Sequence, residues 1–318
     1  MIKSIKFRYI FSKIEINSII NFILLFMFTQ CSKNDLSTDN FEEVERVQEE
    51  NQNNSEKKVF NFEKIACDGG FADEFPCKEY DLLNWIPLSF FDSESANDNW
   101  GWTDSKSKRE FVLQGLNDGL AFLDITDPQK VIYLGKLLSA TDPSDWRDVK
   151  IYGDHAFIVS EASNHGLQVF DLNNLLESDE FKTFNEDYIA NDFGNAHNIA
   201  INTSSGFAYV LGSALYKGGP VFYDISIPQQ PIFSGGFSDT SYIHDAQIVT
   251  YKGEDQNYFD KEILFGSNSD GGETNQLIIL DVTEKTNPEL ISTISYSYGG
   301  YTHQGWIDEN HRYFYLGD

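Results

Sequence analysis

Short apolar runs rich in β-branched and aromatic residues, each closing on an aspartate, return at regular intervals along this chain. They are Gly119–Asp124, Gly166–Asp171, Gly219–Asp224 and Gln276–Asp281. Runs of this length and composition are strand-like. The Asp followed by Thr, Ser or Asn is turn-like, because its carboxylate accepts backbone N–H groups two residues on. Asp124, Asp171, Asp224 and Asp281 are therefore expected to be structural. A second set precedes them: Ala156–Ser160, Phe207–Leu211, Glu262–Gly266 and Arg312–Leu316. A further set follows the aspartate turns: Val131–Gly135, Pro231–Gly235 and Glu289–Thr293. Helical periodicity is nearly absent after residue 60. The pattern predicts an all-β chain built from four-stranded antiparallel units of about fifty residues, the layout of a β-propeller.

Each unit opens on a polar slot. It reads Ala196-His197-Asn198-Ile199, Ile243-His244-Asp245-Ala246 and Thr302-His303-Gln304-Gly305, with Trp146-Arg147-Asp148-Val149 upstream. Aligning Trp100-Gly101-Trp102-Thr103-Asp104 with the segment after His303 puts Asn99 in the slot of a first copy. About five repeats are visible. The fifth stops after two of its four strands, so the chain reads as a truncated piece of a longer propeller with an otherwise exposed edge.

Antiparallel blades put the start of each first strand at one mouth of a central channel. The loop between second and third strands lies at the same mouth. This geometry gathers Asn99, Arg147, His197, His244 and His303 with a rim of Asn117, Asp118, Glu161, His165, Ser213, Asn268, Asp270 and Asp318. Converging imidazoles suit a first-row metal, which makes His197, His244 and His303 the candidate metal ligands. Arg147 is the candidate anchor for an anion, with Asn99, Asp118, Glu161, His165 and Asp270 as further ligand contacts. The other reading is a structural ring that bonds only water and neighbouring backbone. Asp148, Asn198, Asp245 and Gln304 are expected to bridge between units. His155 and His311 are expected at the surface, and Trp100, Trp102, Trp146 and Trp306 in the core. A divalent metal, Zn²⁺ or Ca²⁺, is the cofactor candidate; Asp68, Asp73 and Glu74 are the calcium version of it.

The N-terminus has the form of an export signal over residues 1–30. Basic residues Lys3, Lys6, Arg8 and Lys13 precede the apolar stretch Ile19–Phe28. That stretch is well short of the roughly 20 residues that span a bilayer. Cys31 follows, in the position of a lipidated lipoprotein cysteine, although Gln30 is not the small residue usual before it. Ser32-Lys33-Asn34-Asp35 resembles the export tag of Bacteroidetes surface lipoproteins. Residues 31–60 are polar enough to read as a disordered tether, which leaves residues 61–318 as the folded domain. In an exported protein, Cys67 and Cys77 read as a disulfide. A net charge of −27 argues against nucleic acid as a partner, since phosphates need a basic footprint.

The blocks Cys67–Cys77, Trp100–Asp104, Asp145–Lys150, Gly194–Ile199 and Tyr301–Trp306 resemble those of choice-of-anchor B family proteins. The strands of form Gly-x-x-x-x-Asp-Ile resemble the LVIVD repeats of that family. The resemblance covers residues 65–318. It implies an exported, anchored, propeller-like protein and implies no established activity. The expected function is a cell-surface or outer-membrane lipoprotein, with the periplasm as second choice. It would act as a binding module for a protein or carbohydrate at the channel mouth. The alternative is a metal-dependent hydrolase or lyase working through the three histidines.

Overall fold

The computed structural model describes residues 57–177, 180–269, 275–297 and 299–318. The signal segment, Cys31, most of the tether and Asp270 lie outside the described residues. The chain is all-β. Strand β1 (Lys58–Asn61) and a small hairpin, β2 (Phe71–Ala72) with β3 (Phe75–Pro76), come first. The disulfide joins Cys67 to Cys77 around that hairpin.

Four four-stranded antiparallel meanders follow. The first is β4 (Ala96–Thr103), β5 (Glu110–Leu116), β6 (Gly119–Asp124) and β7 (Lys130–Leu138). The second uses β8 (Arg147–Tyr152), β9 (His155–Ser160) and β10 (Leu167–Asp171). Its outer strand is not the next in sequence. β11 (Lys182–Phe184) crosses over to run parallel to β7, and β12 (Tyr188–Ala190) completes the second sheet. The third is β13 (Asn198–Asn202), β14 (Phe207–Leu211), β15 (Val221–Asp224) and β16 (Ile232–Gly236). The fourth is β17 (Ile243–Thr250), β18 (Glu262–Asn268), β19 (Gln276–Asp281) and β20 (Glu289–Ser295). A final pair, β21 (Gln304–Ile307) and β22 (Phe314–Gly317), stands beside them.

The continuous apolar runs have a direct structural cause: the middle strands are buried on both faces. In β9, Ala156 and Ile158 join the core shared with the first sheet, while Phe157 and Val159 join the core shared with the third. In β14, Ala208 and Val210 face back, and Tyr209 and Leu211 face forward. The period-2 alternation of a strand thus separates two cores rather than core from water. First strands lie side by side, β4 against β8, β8 against β13, β13 against β17 and β17 against β21.

All four strand-closing aspartates are structural, as expected. Asp124, Asp171, Asp224 and Asp281 each accept the backbone N–H two residues on, at 2.9–3.0 Å. The tether reading needs correcting at its end, because Lys58–Asn61 is an ordered strand on β7. Phe60 is buried there against Phe90, ring centroids 5.3 Å apart. β1 and β11 together cover the outer edge of β7, which blunts an otherwise open ladder. Gly135 permits this: a Cβ there would meet the carbonyl of Lys182 in β11.

Phe122 stacks on Phe170 at 4.7 Å and meets Phe184 edge-on at 5.4 Å, joining the first two sheets. Phe122→Ala is expected to cost about 3–5 kcal/mol of stability, read as a lower urea midpoint.

Candidate functional site

The slot predicted from the repeats does bring His197, His244 and His303 together. His197 and His244 ring centroids are 4.3 Å apart, and those of His244 and His303 are 4.5 Å apart. The first-strand starts position them: His197 donates its backbone N–H to Leu211 O, and His303 to Gly317 O. His244 sits at a register shift between Ile243 and Asp245.

Their nitrogens form a chain rather than a convergent set. His244 Nδ1 lies 2.8 Å from the His303 carbonyl, an oxygen that only accepts, so this nitrogen donates. Burial, and then neighbouring His197, depress the His244 pKa to about 4. His244 is thus neutral and its Nε2 is an acceptor. His197 Nε2, 2.7 Å away, therefore donates to it. His197 Nδ1 meets Glu161 Oε1 at 2.6 Å, a contact that needs one further proton shared by that pair. The result is a relay from Glu161 through His197 and His244 to the His303 carbonyl.

His303 contributes its carbonyl to that relay, while its ring packs on His244 and on Tyr301. Two ligands at the usual 2.0–2.1 Å Zn–N distance stand roughly 3.3 Å apart around a tetrahedral ion, wider than the His197–His244 contact. Among the described residues no group of three or more His, Cys, Asp or Glu is arranged to hold a metal. Three aromatics surround the relay: Trp146 lies 5.8 Å from His197, Tyr242 6.4 Å from His197 and Tyr301 5.3 Å from His244. Trp146 and Tyr301 are exposed. Asp318 holds the Tyr301 segment through the backbone N–H groups of Gly300 and Tyr301.

Several expected ligand residues are corrected. Arg147 is fully buried and is no anion anchor. Its guanidinium donates to Leu116 O at 3.0 Å, to His165 Nε2 at 2.8 Å and to Ser139 Oγ at 2.8 Å. Burial lowers its pKa to about 10. His165 is equally buried; it donates from Nδ1 to Gly166 O, and burial and Arg147 bring its pKa to about 4. Asp118 clasps Lys136 at 2.7 Å and Ser93 at 2.6 Å. Asn99 is not in the slot at all. It pairs with Gln114, inward of the strand end, while Ala96 faces the terminal Leu116 across a bulge. Asn97 takes the linking role, accepting from Arg147 N at 3.0 Å. Of the expected ligand contacts among the described residues, Glu161 joins the histidines. The tryptophan expectation holds for Trp102, stacked on Phe111 at 5.0 Å, and fails for exposed Trp146 and Trp306. His155 is buried, contrary to expectation.

One step further along the first strands lies a layer the sequence reading did not assemble. Lys150 Nζ sits 2.6 Å from Asp148 and 3.8 Å from Asp98, and 4.8 Å over the Trp100 ring. Asp148 is fully buried and also accepts from Ile199 N at 2.9 Å, the expected bridge to the next sheet. Burial pushes its carboxyl up to about 7, against the pull of Lys150. Burial works against the Lys150 ammonium, but Asp148, Asp98 and Asp245 outweigh it and raise its pKa. The pattern Tyr242-Ile243-His244 and Tyr301-Thr302-His303 was a legible signal for the aromatic rim; nothing in spacing alone marked Lys150.

No protein-family model matches this chain, and no curated protein sequence matches it.

Two pH predictions follow from these environments. His165 and His244 stay neutral in the fold, while in the unfolded chain each takes a proton near pH 6.5. For these two groups the unfolded state binds more protons, so their contribution to stability falls as pH drops from about 6.5 towards 4, opposed by Asp148, whose raised carboxyl holds a proton in the fold. His165→Gln removes one of the two histidine contributions, so across that range its urea midpoint should fall less with acid than that of the wild type. Lys150→Met should act with the opposite sign. It leaves buried Asp148 and Asp245 without the cation that opposes their burial, so their folded carboxyl pKa values sit still further above the unfolded ones. Its stability should therefore be best at low pH and be lost as pH rises through neutrality, in the same urea series.

Proposed function

We propose that this chain is an exported, lipid-anchored binding module of β-propeller architecture, with its ligand at the histidine-lined mouth. Successive four-stranded sheets packed face to face, their first strands side by side, support the propeller reading. The resemblance to choice-of-anchor B proteins points the same way. Cys31 is the proposed lipid site and Cys67–Cys77 the disulfide of an oxidising compartment.

The observation that carries the binding reading is the composition of the mouth. A satisfied Glu161–His197–His244 relay forms its floor, and exposed Trp146 and Tyr301 form its rim. Exposed rings beside fixed donors and acceptors suit a partner that brings a ring or apolar side chain together with polar groups. The relay is occupied by its own hydrogen bonds, which favours recognition over metal-assisted hydrolysis.

Purified protein on peptide and glycan arrays tests this. Capture should persist after chelation and weaken about tenfold in Trp146→Ala and Tyr301→Ala, with unchanged melting. Capture that chelation abolishes, together with a stoichiometric metal lost in His197→Ala, would instead establish the metal-dependent enzyme. In cells, Cys31→Ser should lose labelled palmitate and its membrane association.

A further inference from the structure

Beyond the Lys150 layer, away from the histidines, the first strands enclose a second opening, a cavity of about 630 Å³. That is within the roughly 300–1,000 Å³ of small-molecule sites. Its walls come from β8, β13 and β17, with Trp100 on one side and Trp306 on the other. Trp306 is 58% exposed.

The polar part of the lining is unusual for this protein. The chain carries 50 acidic against 23 basic residues, yet no carboxylate lines the cavity among the described residues. Its charged groups are Lys150 and Lys252, and both are neutralised from behind. Lys150 is held by Asp148 at 2.6 Å, and Lys252 is paired with Asp260. His311 accepts from Lys252 N at 2.9 Å through Nδ1, which leaves its Nε2–H as a neutral donor. Neutral amides and hydroxyls make up the rest of the polar lining: Asn202, Thr203, Ser204, Gln247 and Thr250.

We propose that this cavity is a carbohydrate site for a neutral saccharide ring. The ring would lie against Trp306, with its hydroxyls bonded to His311, Thr203 and Ser204. Indole faces take up the apolar C–H face of a sugar, and hydroxyl and imidazole groups exchange hydrogen bonds with its edge. With each lysine already paired with an acid, an anionic ligand gains little; the carboxylates Asp308 and Glu309 line the adjoining pocket, which shares Trp306 and His311 with this one. This site is separate from the mouth, from which the Lys150 layer divides it.

The test is a glycan array carrying neutral and uronic-acid-containing oligosaccharides, with any hit titrated by tryptophan fluorescence. Wild-type protein should retain a neutral glycan. Trp306→Ala, an exposed position whose loss leaves the core intact, should weaken it about tenfold or more. Tyr301→Ala, at the other mouth, should bind the same glycan as wild type. Retention unchanged in Trp306→Ala, retention of acidic glycans alone, or no neutral glycan retained would each overturn the proposal. Loss in Tyr301→Ala but not in Trp306→Ala would assign the glycan to the histidine mouth instead.

Discussion

Burial of the middle strands on both faces is the constraint on which this structure depends. A strand such as β9 or β14 has no solvent side: its even residues complete one core and its odd residues the next. A one-residue slip would exchange those sets and misfill two cores at once. Register is therefore fixed by packing from both sides, and each sheet is held by its neighbours more than by its own hairpins. A four-stranded unit such as that of β9 or β14, taken alone, would expose both apolar faces.

That constraint carries through to the polar groups. Face-to-face packing brings the first strands side by side and forces whatever stands at their starts into shared, partly dry space. Different copies resolve the same slot differently. Arg147 is swallowed completely and satisfied by Leu116, Ser139 and His165. His197 and His244 satisfy each other. A buried charge or imidazole is tolerated only when paired or kept neutral. The depressed pKa of His244 and the Lys150–Asp148 contact are two answers to that one cost.

Much of the fold was readable from the chain. Strands ending at Asp124, Asp171, Asp224 and Asp281 are announced by their apolar runs and by the Ser, Thr or Asn that follows. The disulfide pair stood alone in its segment. β11 was not readable, because its pairing depends on Gly135, some fifty residues earlier. Nor was the start of β1, since Phe60 earns its order only by meeting Phe90 in another element. At the site, the repeat correctly grouped three histidines with Glu161. It misassigned Asn99, because a bulge in β4 shifts register by an amount that composition does not encode.

The main strands, the aspartates that close turns and the recurring polar slots can be read along the chain, because they follow from local chemistry with a period of two. What each slot became depends on the packing of neighbouring sheets. Arg147 and His244 occupy the same place in their repeats, yet one is a buried scaffold tie and the other part of a histidine relay. The difference lies in partners contributed by neighbouring sheets, His165 for one and His197 for the other. Hydrogen bonding and burial are set by such distant neighbours, and no local pattern specifies them.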